Sequence, residues 1–216
     1  MRNLAIYGAG GFGKELACHI HRINLEGPRW NIIGFFDDGI EIGTQISHYG
    51  KVLGGITELN QWDNALDLAL AIGLPSTIKM LVNKIKNPHV SFPNVIVPGV
   101  RFNDVGTFKI GIGNIINSDC AFSCDVSIGS FNFFNGSVVL GHDAKVGSFN
   151  TFMPAVRISG EVLIGDTNYF GVGSIVIQQI KIGDNIRLGA GSVLIRKPKD
   201  GMLYLGNPAR IADLGT

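Results

Sequence analysis

Every sixth residue from Ile110 to Leu194 is large and apolar: Ile110, Ile116, Phe122, Ile128, Phe134, Leu140, Val146, Phe152, Ile158, Ile164, Phe170, Val176, Ile182, Leu188 and Leu194. Neither the 3.6-residue period of a helix nor the two-residue period of a strand generates such a series. Glycine follows directly at Gly111, Gly129, Gly141, Gly147, Gly165, Gly171, Gly183 and Gly189. This is the hexapeptide pattern of a β-helix, in which each turn buries its apolar side only by stacking on its neighbours.

A period of 18 overlies the period of six. The units around Ile128, Val146, Ile164 and Ile182 read VSIGSF, AKVGSF, VLIGDT and IKIGDN, and asparagine recurs at Asn114, Asn132, Asn150 and Asn168. Three hexapeptides therefore close one triangular coil, and residues 110–199 supply five coils with no inserted loop. Residues 18 apart become neighbours at the ~4.8 Å strand spacing. The asparagines are expected to form a hydrogen-bonded ladder at one corner.

The N-terminal part reads differently. Asn3–Tyr7 is a buried strand running into Gly8-Ala9-Gly10-Gly11-Phe12-Gly13, followed by a helix over Lys14–Ile23 and a strand over Trp30–Phe36 that ends in Asp37-Asp38. Leu66–Gly73 reads as a third strand and Ser76–Ile85 as a helix, an alternation that predicts a parallel α/β sheet. Gly8-x-Gly10-x-x-Gly13 matches the dinucleotide fingerprint, with Asp37 and Asp38 near the usual downstream distance. The unit ends near residue 90, too short for the two halves that grip a full dinucleotide. Three readings stay open: NAD, a nucleotide-sugar, and a tight turn with no ligand. Asp37 and Asp38 equally fit helix-cap or turn residues.

The composition narrows the classes. Hydrophobic residues make up 45% and charged residues 16%, which excludes a disordered chain. A net charge of +1 offers no bulk field for nucleic acid or an anionic membrane. No apolar run reaches the ~18 residues of a membrane span. Cys18, Cys120 and Cys124 are odd in number and lack zinc-ribbon spacing, which fits reduced thiols in a cytoplasmic protein.

The order of motifs carries a resemblance. Ala5-Ile6-Tyr7-Gly8-Ala9-Gly10-Gly11-Phe12-Gly13, Gly34-Phe35-Phe36-Asp37-Asp38, Ala71-Ile72-Gly73, Leu140-Gly141-His142-Asp143, Gly189-Ala190-Gly191-Ser192-Val193 and Gly206-Asn207-Pro208-Ala209-Arg210 together resemble the sialic acid O-acyltransferase-like sugar acyltransferases. That family includes the bacterial nucleotide-amino-sugar N-acetyltransferases. The resemblance implies a Rossmann-like α/β domain over 1–90 that holds a sugar nucleotide, a left-handed β-helix over 91–200 and a C-terminal tail over 201–216. It further implies acetyl-CoA as donor, no metal, and a homotrimer with active sites between subunits.

Residue by residue, the family's catalytic histidine falls on His142 and its acidic partner on Asp143. Its thioester-binding amide falls on Gly160, with Gly173, Gly191, Pro208 and Arg210 also on the CoA side. Gly8, Gly10, Gly11, Gly13, Asp37, Asp38 and Gly73 fall on the sugar-nucleotide side. The family's second active-site histidine is Thr151 here, still expected to contact substrate, and its His-Pro before the first coil is Val97-Pro98.

Counting supports part of this. Only His89 and His142 lie beyond residue 50, which argues against the zinc carbonic anhydrases that share the β-helix and need three imidazoles. Gly160 is His142 plus 18, so a base and a backbone donor stack one coil apart, a spacing suited to the two ends of an acyl transfer. Thr151 is half a coil from both and reaches His142 only from a neighbouring subunit. Cys124 stacks below His142, leaving a nucleophilic Cys–His pair as an alternative. Phe122, Phe134, Phe152 and Phe170 are core positions.

The leading expectation is transfer of acetyl from acetyl-CoA to an amino group of a nucleotide-linked sugar in surface glycan synthesis. His142 would be the general base. O-acetylation, a degenerate trimeric binding protein and an NAD oxidoreductase are the alternatives.

Overall fold

The computed structural model describes residues 1–212, which separate into two compact units, Met1–Pro98 and a second from Gly99 onward. Of the tail expected over 201–216, residues 213–216 lie outside the described residues.

In the first unit the strands and helices follow as β1 Arg2–Tyr7, α1 Gly11–Glu26, β2 Trp30–Phe36, β3 Gln45–Ile46, β4 Gly50–Gly54, α2 Ile56–Asn60, β5 Leu66–Leu70, α3 Pro75–Lys84 and β6 Val90–Ser91. The sheet order is β3-β4-β2-β1-β5-β6, parallel throughout except for the β3–β4 hairpin. β1 is central, so Leu4, Ala5 and Ile6 are fully buried and the strand reads as a continuous apolar run. Its neighbours lie on opposite sides, which puts the glycine turn after β1 at the point where the strand order reverses, the usual ligand crevice of open α/β sheets. The β3–β4 hairpin and α2 were not apparent from the sequence, because strands this short and bounded by Gly43, Gly50 and Gly54 carry little alternation.

The second unit is a β-helix. Its two-residue rungs pair in parallel at a spacing of 18, for example Phe122 with Leu140, Leu140 with Ile158 and Ile158 with Val176. Within the second unit the rungs extend back beyond the apolar series to Arg101–Phe102, which pairs with Ala121–Phe122 across 20 residues and so contains a two-residue insertion. From Ile116 to Leu194 every sixth residue is at most 6% exposed. The core is an aromatic column: Phe134, Phe152 and Phe170 stack with ring centroids 4.6 and 4.7 Å apart and nearly coplanar rings, matching the strand spacing.

The expected asparagine ladder is present. Oδ1 of Asn114, Asn132 and Asn150 each accepts both the backbone N–H and the Nδ2–H of the asparagine one coil up, at 2.9–3.0 Å. Nδ2 of each also donates to a glycine carbonyl of the next coil. All four side chains are buried, so a ladder with every partner met costs nothing to bury.

The repeated glycines have a steric role. The left-handed backbone conformation recurs every six residues from Gly113 to Gly191, three residues after each inward position, and eleven of those fourteen sites are not glycine. The glycines that follow the inward residues instead make room. A Cβ on Gly129 or Gly147 would come within 2.6 Å of Ser148 Oγ or 2.2 Å of Asp166 Oδ1, the side-chain oxygens that accept the N–H groups of Ser130 and Ser148 one coil below.

The described part of the C-terminal segment packs on the end of the β-helix. Leu203–Leu205 continues one face of the helix by pairing in parallel with Arg187–Leu188, and Arg210–Ile211 folds back antiparallel upon it. Val193 N–H to Gly206 O and Ala209 N–H to Val193 O stitch this strap to the last rung. The backbone of a final rung is otherwise an open sheet edge, and the strap covers it.

Candidate active site

His142 stands at the corner after the rung Val139–Leu140. Leu140 points into the core, and Asp143 turns the chain with φ +58°. The corner is held from both sides: Asp143 N–H donates to Cys124 O at 3.1 Å, and His142 O accepts Glu161 N–H at 2.8 Å. His142 Nδ1 lies 2.8 Å from Asp143 Oδ2. An ionised carboxylate only accepts, so Nδ1 carries a proton, and in the neutral ring the lone pair is then on Nε2. Both side chains are 54% exposed, so the pair is accessible and contributes little to stability.

Nε2 faces Gly160. A Cβ at Gly160 would lie 2.5 Å from Nε2 and 2.7 Å from Cε1, so the absence of a side chain is what admits the ring. The Gly160 N–H donates to no group among the described residues, whereas the corresponding amides of Ser130, Ser148 and Asp166 at another corner are taken by side chains. His142, Asp143 and Gly160 are thus brought together.

Other expected residues fare differently. Cys124 accepts at its carbonyl from the Asp143 amide, and no hydrogen bond joins its Sγ to His142 among the described residues. Burial pushes the Cys120 thiol up to about 11, leaving it a core group. Thr151 is completely buried within this chain.

In the first unit the fingerprint glycines divide into two pairs. A Cβ on Gly8 would sit 2.7 Å from Ala71 O at φ +104°, and one on Gly13 only 2.0 Å from Gly8 O, so the fold itself requires both. A Cβ on Gly10, Gly11 or Gly73 would meet nothing within 4 Å. α1 begins at Gly11 with no side-chain cap, and such a helix end suits an anion.

The two aspartates are engaged in the fold. Asp37 Oδ2 accepts Ala9 N–H at 2.8 Å and Oδ1 accepts Gly39 N–H at 2.9 Å. Asp38 Oδ1 accepts the first amide of α2, Ile56 N–H, at 2.9 Å, and Oδ2 accepts Tyr7 Oη–H at 2.6 Å. Burial first, and then the Asp38 carboxylate, push the Tyr7 phenol far up, so it stays protonated and donates. Both aspartates also line a cleft of about 390 Å³ with Ile40, Glu41, Ile56 and Glu58. The fingerprint glycines are not part of that lining.

Gly173 and Gly191 occupy left-handed corners with nothing near a would-be Cβ. Pro208 and Arg210 lie on the strap, and Arg210 lines a second cavity with Arg196 and Lys197. The sequence reading missed those two cations, although Arg196 stands 54 residues, three full coils, beyond His142. Among the described residues no group of three His, Cys, Asp or Glu side chains could hold a metal ion, and no helix is long and apolar enough to cross a membrane.

With this geometry in hand, the sequence of the first unit matches the profile of a known domain. Residues 3–85 match the family model of the PglD N-terminal domain. The fold beyond this PglD-type domain matches as well, over the whole chain. The acetyltransferase domain of PglB from Neisseria gonorrhoeae, in complex with acetyl coenzyme A, superposes with a TM-score of 0.86 at 25% identity, covering 98% of this chain and 99% of that one. A single-site variant of perosamine N-acetyltransferase from Caulobacter crescentus, in complex with CoA and GDP-perosamine, gives 0.85 at 25% identity over 99% and 98%. WeeI from Acinetobacter baumannii gives 0.85 at 25% over 98% and 100%. No curated protein sequence matches the chain. The chain has the two-unit fold of hexapeptide-repeat sugar N-acetyltransferases: a first unit similar to the PglD N-terminal domain and a β-helix.

Proposed function

We propose that the chain transfers acetyl from acetyl-CoA to the amino group of a nucleotide-linked amino sugar. The observation that carries this reading is the pairing of an accessible His142 Nε2, its proton held on Nδ1 by Asp143, with the unpaired amide of Gly160 one coil away. Relatives of the same fold and length are crystallised with acetyl-CoA, CoA and a GDP-linked sugar, which supports the donor and acceptor classes.

The amine nitrogen attacks the thioester carbonyl carbon as Nε2 takes its proton. The carbonyl oxygen gains negative charge and accepts the Gly160 N–H. Collapse breaks the C–S bond, and the departing thiolate takes a proton from the imidazolium, which Asp143 has stabilised. Products are the acetamido sugar nucleotide and CoA–SH, with no covalent enzyme intermediate.

The sugar nucleotide belongs to the first unit, where Gly10 and Gly11 leave room at the start of α1 and match the turn of a PglD N-terminal domain. The product suits surface glycan synthesis. A homotrimer is the proposed assembly, supported by outward apolar residues on one β-helix face, including Ile175 and Ile177 at 37% and 38% exposure. Three free thiols suit a cytoplasmic setting.

The test is CoA-thiol release by the purified chain with GDP-, UDP- and dTDP-linked amino sugars and their hydroxyl analogues. Release with an amine acceptor supports the reading. Release with hydroxyl acceptors alone replaces it by O-acetylation, and no release with any acceptor removes it.

A further inference from the structure

Glu161 directly follows the amide donor Gly160 and stands one coil above Asp143, at ~4.8 Å per coil. Its N–H donates to His142 O at 2.8 Å, so the backbone ties it to the base. Its φ of +57° matches the +58° of Asp143, which puts both residues at equivalent places of one corner. Glu161 is exposed, and Gln179 Nε2 lies 3.3 Å from each of its carboxylate oxygens. A neutral amide donates a hydrogen bond but cancels no charge. No cation pairs with Glu161 among the described residues, and Lys145 and Lys181, two residues past Asp143 and Gln179, form no ion pair either. An uncompensated negative charge therefore flanks the space between His142 Nε2 and the Gly160 amide, and the acetyl-transfer steps above give it no task.

Amine and hydroxyl acceptors differ in one respect that such a charge can read. Near neutral pH an amine is largely protonated, whereas a hydroxyl is neutral. An exposed carboxylate attracts a cation that comes within a Debye length and leaves a neutral group unaffected.

We propose that Glu161 is a specificity-determining residue, favouring an amino over a hydroxyl acceptor by attracting the ammonium form. The inference rests on the transferase reading above and deepens it. The bound ammonium releases one proton to solvent. The neutral amine then attacks the thioester as Nε2 takes the second proton, which leaves on the CoA thiol. The sum is an ammonium sugar and acetyl-CoA giving an acetamido sugar, CoA–SH and one solvent proton. A unit charge ~7 Å away in water changes a binding constant about threefold. Asp125 provides the control: it is also exposed, but it lies one coil below Asp143, on the side away from Gly160.

The test titrates amine and hydroxyl pairs of GDP-, UDP- and dTDP-linked sugars calorimetrically into the full chain, Glu161→Gln and Asp125→Asn. Both positions are exposed, so the melting temperatures should be unchanged. At low salt Glu161→Gln should weaken the amine about threefold and leave its hydroxyl partner alone, and 0.5 M salt should abolish the difference. Asp125→Asn should have the smaller effect. In turnover, Glu161→Gln should raise KM for the amine about threefold with kcat little changed. Equal weakening of both members of a pair, no change in either, or no binding of any pair overturns the proposal. An Asp125→Asn effect as large as that of Glu161→Gln also overturns it, because the preference would then belong to the general field of the corner. An amine preference that depends on Glu161, with no thiol release on any acceptor, would sustain the proposal while the transferase reading fails. Thiol release with an amine preference indifferent to Glu161 would do the reverse.

Discussion

His142 and Gly160 share one space: the imidazole edge of the first fills the volume that a side chain on the second would need, with a would-be Cβ 2.5 Å from Nε2. A glycine one coil up from a histidine thus decides where the base can point. Gly160→Ala should leave the helix folded, since residue 160 adopts no left-handed conformation. It should push the ring away from the amide and lower kcat roughly a hundredfold, the lower end of what general-base catalysis contributes. Single-turnover acetyl transfer measures it; an unchanged rate would separate the ring position from the chemistry.

His142→Ala should lower kcat by ~10²–10⁴-fold with CoA affinity little changed. His142→Asn should not restore the rate, because an amide holds a hydrogen bond but takes no proton from the amine. Wild-type turnover in His142→Ala would remove the base from the mechanism.

Gly10→Val tests the nucleotide turn without disturbing the fold. A Cβ there meets nothing within 4 Å and the backbone is extended, at φ −76° and ψ −160°. The melting temperature should hold while KM for the sugar nucleotide rises and that for acetyl-CoA does not. A matching rise for acetyl-CoA would mean the two ligands have been assigned to the wrong units.

Asn150 accepts from both nitrogens of Asn168 and donates to Asn132 Oδ1 and Gly165 O, all without solvent. Asn150→Leu strands those partners, each worth about 1–3 kcal/mol when left unmet. A loss of at least 3 kcal/mol in urea unfolding is expected. A smaller loss would show that the ladder relaxes around the gap.

His19 has a side chain only 13% exposed; both ring nitrogens are buried without a hydrogen bond, and Nε2 lies 3.5 Å from Glu15 Oε1. Burial, and then the nearby Arg22 charge, lower its pKa against the opposing pull of Glu15. The unfolded chain therefore binds the proton more readily, and stability falls as pH drops below the ordinary histidine value of about 6.5. Denaturation at pH 7.5 and 5.5 should show a larger loss in wild type than in His19→Leu. Equal losses would assign the acid sensitivity to other groups.

The period of six fixed much of this molecule. It named the inward residues from Ile116 to Leu194, and the period of 18 placed the asparagine ladder, the phenylalanine column and the stacking of Gly160 on His142. These were legible because a coil of constant length turns sequence separation directly into distance. The central strand and glycine turn of the first unit were legible too, since a buried parallel strand is a continuous apolar run. What the tertiary structure alone decided lies outside any period. A repeat says which side chains enter the coil but not what covers its outer face, so the complete burial of Thr151 was hidden. A fingerprint records glycines without distinguishing those the fold needs, Gly8 and Gly13, from those it leaves open, Gly10 and Gly11. Asp37 and Asp38 at a strand end fit a ligand or a cap equally until the Ala9 and Ile56 amides were seen to reach them. Arg196 and Arg210 line one cavity only because the chain leaves its repeat and folds a strap back on the last rung, a long-range pairing that no local pattern encodes.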